Sequence, residues 1–112
     1  MIVLVCGGRD FQAAELLADT LDRLHRERRF TLLIHGAAMG ADSLAGDWAT
    51  SRRIPVRAFP ADWDTHRRAA GPIRNKQMLT EGKPDLVVAF PGGRGTANMV
   101  RQARAEGVEI LE

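Results

Sequence analysis

The sequence predicts an α/β fold, an open parallel sheet of about five strands in the order 3-2-1-4-5 between two layers of helices. Three observations lead there. Short apolar runs rich in β-branched residues alternate with longer amphipathic runs along the whole chain. The first and fourth of the short runs lack polar alternation, as strands covered on both faces do. Right-handed crossovers between parallel strands then leave few topologies, and they put the reversal of winding between the first and fourth strands.

The first strand is Ile2–Cys6, "IVLVC". A helix from about Phe11 to Arg28 follows, with Leu17, Leu21 and Leu24 at helical spacing. Thr31–His35 is the second strand, and Ala41, Leu44, Ala45, Trp48 and Ala49 mark one face of a second helix. Pro55–Phe59 carries a proline and an arginine, which places this third strand near an edge. The segment "PADWDTHRRAAG" reads as irregular, and a short helix is expected from about Pro72 to Glu81 with proline in its first turn. Asp85–Phe90 is a fourth, buried strand. A last helix over about Thr96–Glu106 stops before Gly107, and "VEIL" closes the chain as a fifth strand.

The 112 residues suit one domain spanning 1–112. The single cysteine, Cys6, allows no internal disulfide, which fits a reducing compartment, and its apolar run makes it a small buried hydrophobe. No segment reads as a signal peptide or a bilayer span, so a cytoplasmic location and no membrane partner are expected. Formal net charge is only +2, and it does not by itself imply a nucleic-acid binder. Fourteen of the sixteen basic residues are arginines, whose forked guanidinium suits oxyanions, although codon preference gives the same bias.

In a parallel sheet every strand ends on the same side, so the segments after the strands can meet. After the first strand comes "GGRDF" (Gly7, Gly8, Arg9, Asp10, Phe11). After the second comes "HGAAMGAD", with Gly36, Gly40 and Asp42. After the fourth comes "PGGRGT" (Pro91, Gly92, Gly93, Arg94, Gly95, Thr96). In the expected strand order these loops are neighbours at the switch point, the usual place for a ligand in such sheets. Glycine lets a ligand approach the backbone, and unpaired amides at a helix start favour an anion. Arg9 and Arg94 can fork onto phosphate. Thr96 can cap the last helix or donate its hydroxyl to a phosphate oxygen.

Several activities are excluded. There is no G-x-x-x-x-G-K-[ST] of a Walker-type NTPase and no G-x-G-x-x-G after the first strand, and the second strand ends in His35 rather than a ribose-binding acid. His25, His35 and His66 lie far apart without a Cys, Asp or Glu pattern, so no metal site is expected. No G-x-S-x-G elbow is present.

Single residues carry two readings each. Asp42 is a first-turn acid of the second helix or a hydrogen-bond partner for ribose hydroxyls. Trp63 either stacks on a base or packs over the sheet edge. Arg74, beside Asn75, sits near a helix start where its charge does not help the helix, which suggests an anionic partner. Asn98 is expected to face solvent, and Trp48 to belong to the core. Arg67 and Arg68 lie in a segment that can reach a polyphosphate or a DNA strand.

Together "GGRDF", "GAAMGADSLAGDWA", "FPADW", "AGPIRNKQM" and "AFPGGRGTANM" resemble the small Rossmann-like proteins related to YspA, in the SLOG superfamily. Its relatives include the LOG phosphoribohydrolases and the DNA-processing protein DprA. The resemblance covers nearly the whole chain and implies a three-layer α/β domain that binds a nucleotide or nucleotide-derived ligand, with no further cofactor required. It also implies a homo-oligomer. The LOG enzymes carry P-G-G-x-G-T-x-x-E and an upstream arginine, and cleave N-glycosidic bonds of nucleoside monophosphates. Here Met99 stands at the glutamate position, and Arg74 is the candidate arginine. A carboxylate normally stabilises the positive charge that builds on the sugar, and a thioether does not. Asp10, Asp42 and Asp62 remain as candidate carboxylates, with Asp10, Asp42 and Arg74 the candidate catalytic residues. Ligand binding without efficient cleavage is therefore the leading expectation, ahead of a nucleotide-processing enzyme and of single-stranded DNA binding by analogy with DprA.

Overall fold

Strand β1 (Ile2–Cys6) is the centre of the computed structural model, which describes residues 1–112. It pairs in parallel with β2 (Leu32–His35) on one side and β4 (Leu86–Ala89) on the other. The edges are β3 (Val56–Ala58) beside β2 and β5 (Glu109–Leu111) beside β4. The sheet order is β3-β2-β1-β4-β5. The short, exposed β3 is thus an edge strand, as its proline and arginine predict.

Alternate residues of each central strand feed two apolar layers, because successive side chains point to opposite faces. Val3, Val5, Leu33, Leu86 and Val88 pack with Leu17, Leu21 and Leu24 of α1 (Ala14–Arg28) and with Ala45, Trp48 and Ala49 of α2 (Ala41–Ser51). Leu4, Cys6, Ile34, Val87 and Ala89 pack with Met78 and Leu79 of α4 (Ala70–Gly82) and with Met99, Val100 and Ala103 of α5 (Arg94–Ala105). This is the open three-layer α/β fold, and it leaves the starts of α1, α2 and α5 on the edge where β1, β2 and β4 end.

Several boundaries differ from expectation. Helix α1 starts at Ala14 rather than Phe11, because the Phe11 ring turns inward onto Phe90 with centroids 5.2 Å apart, and its amide donates back to Gly8 O. The segment read as irregular holds a one-turn helix, α3 (Trp63–His66), and a 3₁₀ turn (Arg67–Ala69) that runs into α4. Asp62 caps α3 by accepting from Thr65 N at 3.1 Å. Helix α4 begins two residues earlier than Pro72. Helix α5 begins at Arg94, with Gly93 rather than Thr96 at the cap position and no side-chain cap at all. Gly107, at φ 74°, follows α5 as its stop. No helix is long and apolar enough to cross a membrane.

Candidate functional site

The three loops at the end of β1, β2 and β4 interlock through their backbones. Gly8 N donates to Pro91 O at 2.9 Å, and Gly8 O accepts from Phe11 N and Ala41 N, both at 3.2 Å. This contact leaves no room for side chains. A Cβ on Gly7 would stand 2.6 Å from Ala41 Cβ, and one on Gly92 would strike Thr96 Oγ1 and lie 2.6 Å from Gly8 N. Gly40, at φ 75°, faces Gly8 O and Arg9 O just as closely.

Loop two takes its shape from two side chains. Asp42 is buried, and its Oδ2 accepts from Gly36 N at 3.1 Å and Ala38 N at 3.2 Å. Burial pushes its pKa up, against the pull of the Ala38 amide, His35 and Arg74. His35 Nδ1 accepts from Ala37 N at 2.9 Å, and burial holds the imidazole below its usual pKa. Asp42 stands in the first turn of α2, yet its carboxylate bonds amides of the preceding loop and does not cap the helix.

Arg74 and Asn75 join loop two to α5. Arg74 Nη1 donates to Gly36 O, and its guanidinium lies against Gly36 where any Cβ would stand. Burial pulls the Arg74 pKa down while Asp42 opposes it, and the group remains a cation. Arg74 Nε donates to Asn75 Oδ1 at 3.0 Å. Asn75 is only 3% exposed, and its Nδ2 donates to Gly95 O at 3.2 Å and Asn98 Oδ1 at 3.1 Å. Gln102 Nε2 completes the chain, donating to Asn98 Oδ1 at 2.7 Å and Pro72 O at 3.1 Å. Asn98 is thus half-buried in a polar network, contrary to the expected solvent position.

In front of these loops lies a cleft of about 1270 Å³. Gly7, Gly8, Arg9, Asp10, Asp42, Trp63, Arg74, Asn75, Pro91, Gly92, Gly93, Arg94, Gly95 and Thr96 all line it. Gly36 and Gly40 do not; they sit behind it and let the loops close. Asp62 is also outside, engaged as a cap. Sequence reasoning did not single out Arg101, and it gave Asn98 to solvent; both face the cleft. Trp63 leans on Gly71, and Arg9 Cζ sits 5.6 Å from the ring centroid, so that face of the indole already has a partner. Cys6 reaches the cleft floor, but burial pushes its thiol up to about 12, which leaves it protonated.

The head of α5 is chemically open. Its first internal bond is Ala97 N to Gly93 O, so the five amides from Gly92 to Thr96 donate to no protein group. The residues that carry them line the cleft at the positive end of a twelve-residue helix. The Met99 side chain, by contrast, is fully buried in the apolar layer between α5 and the sheet.

A parallel α/β sheet with helices on both faces and a polar cleft at its switch point is the Rossmann-like architecture. Residues 1–66 match the model of the YspA, cpYpsA-related SLOG family (YAcAr), and the chain belongs to that family. It is similar to the Gene 61 protein of Mycobacterium phage D29, with 35% identity over 117 residues, covering 97% of this chain and 93% of the phage protein. No solved structure matches the chain.

Proposed function

We propose that this chain binds a nucleotide or nucleotide-derived ligand in the cleft, with its phosphate on the head of α5, and that it senses the ligand rather than cleaving it. Membership of the SLOG family favours nucleotide-related ligands. The observation that carries the proposal is the run of free amides from Gly92 to Thr96, together with Gly95, a glycine the fold does not need. A Cβ on Gly95 would meet nothing within 4 Å, and the residue lies within the helix without positive φ. The missing side chain serves whatever approaches from the cleft. Arg94 and Thr96 flank that position.

The carboxylates support binding over cleavage. Met99 gives the cleft no acid, Asp42 is engaged by two loop amides, and Asp62 is a cap. A thermal-shift panel of AMP, ADP-ribose and cyclic nucleotides at millimolar concentration tests the proposal. Stabilisation by at least one is expected, and none from any of them would overturn it.

A second reading, nucleotide processing, rests on Asp10, a cleft carboxylate without a hydrogen-bond or ion-pair partner. Release of free base from a nucleotide, abolished in Asp10→Asn, would establish it. Intact nucleotide after long incubation would remove it.

A further inference from the structure

The cleft carries more positive charge than one phosphate neutralises. Five arginines line it, Arg9, Arg68, Arg74, Arg94 and Arg101, against the two carboxylates Asp10 and Asp42, an excess of three positive charges. Of the nine arginines outside the cleft, four, Arg28, Arg52, Arg57 and Arg104, each meet a carboxylate at 2.8 to 3.6 Å. None of the cleft five does. Like charges gathered without counter-ions repel one another, an arrangement that an anionic ligand relieves.

The charges also lie in two places. Arg94 stands at the head of α5, where the free amides are. Arg101 is seven residues on, so it sits about 10 Å further along the helix axis. Arg68 is in the 3₁₀ turn that leads into α4, and the start of α4 is tied to α5 there by Gln102 Nε2 and Pro72 O. Arg68 and Arg101 are exposed and hydrogen-bond to no protein group. A single phosphate on the α5 head leaves this second pole empty. The cleft volume of about 1270 Å³ likewise exceeds the roughly 300–1,000 Å³ usual for one small ligand.

We propose that the ligand bears at least two phosphate groups, one on the head of α5 and another held by Arg68 and Arg101. This inference rests on the nucleotide-binding reading above. Arg9 covers the Trp63 ring, so this cleft aromatic is not free as a stacking platform for a nucleic-acid strand, and a small oligophosphate is favoured.

Calorimetric titration of the full chain with AMP, ADP, ATP and a short oligothymidylate, at constant ionic strength, tests it. Each added phosphate is expected to tighten binding by roughly tenfold, the worth of one arginine–phosphate contact. In Arg68→Gln/Arg101→Gln, which removes no hydrogen bond of the protein and should melt like wild type, the ratio of ATP to AMP affinity is expected to fall by tenfold or more. Equal affinity for AMP and ATP, or a ratio that survives the double substitution, overturns this inference and leaves nucleotide binding intact. Tighter binding of the oligothymidylate than of ATP also overturns it, by making the ligand a strand. Failure of every nucleotide to bind removes the underlying reading itself.

Discussion

Replacing Gly95 by alanine separates what the fold requires from what a ligand requires. Gly95 is the second residue of α5, and the space its Cβ would enter is open. Alanine is a better helix former than glycine by about 0.8–1 kcal/mol in a helix interior, and about half of that applies in a first turn. A gain of ~0.5 kcal/mol raises the melting midpoint of a chain this size by roughly 2 °C. Gly92→Ala gives the opposite result. Its Cβ would press on Thr96 Oγ1 and stand 2.6 Å from Gly8 N and 2.9 Å from Gly7 C. Two of those atoms are backbone, so the loops must part, at a cost of about 1–3 kcal/mol and a fall of roughly 4–12 °C. Scanning fluorimetry reads both shifts. On the proposed binding mode the Gly95 methyl also screens the amides that take the phosphate, and loss of one charge-assisted bond then weakens nucleotide binding by about tenfold or more. A more stable variant that binds worse is the expected outcome for Gly95→Ala. Unchanged affinity would refute the role assigned to Gly95, and a lowered midpoint would refute the open space around it.

Asn75→Ala removes the bonds to Gly95 O and Asn98 Oδ1 and leaves Arg74 Nε without its acceptor; a loss of about 1–3 kcal/mol in urea unfolding is expected, and a change under ~0.5 kcal/mol would mean the network does not hold α4 to α5. Asp42 gives a pH dependence of defined sign: burial raises its folded pKa above the ordinary 3.8, so the folded state keeps the proton longer than the unfolded chain. Its contribution to wild-type stability then falls as pH rises from 3.8 through the higher folded value. Urea midpoints of wild type and Asp42→Asn should diverge over that window in favour of the variant, and parallel curves would contradict the burial argument. Cys6, with its thiol pushed up to about 12, should resist a disulfide reagent in the native chain at mildly alkaline pH and react readily once unfolded; fast native labelling would show an accessible thiolate.

The sheet order could be read from sequence because strand–helix alternation and crossover handedness act through the backbone and depend little on detail. The glycine loops could be read for the same reason, since each follows a strand whose end is known. Boundaries were less accessible. Phe11 looks like the start of an amphipathic run, and only its contact with Phe90 across the sheet edge shows that it belongs to a loop. Residues 63–69 form short helices without an apolar stripe, held by the Asp62 cap rather than by periodicity. Asn98 and Arg101 are polar residues on an amphipathic helix, and such residues look alike in sequence whether they face solvent or a cleft. The packing of α4 beside α5 decides between the two, and that contact is tertiary.

The rotation of α5 about its own axis decides which of its positions can bring a reactive group to the cleft. Met99, Val100 and Ala103 form the side turned to the sheet, whereas Arg94, Asn98 and Arg101 form the side turned to the cleft. An acid installed at position 99 would therefore enter a dry apolar layer rather than the cleft, and would destabilise the chain. The helix offers a reactive group its opening one residue earlier. A single amide-to-acid exchange at Asn98 is the shorter route by which a carboxylate could enter the cleft from this helix.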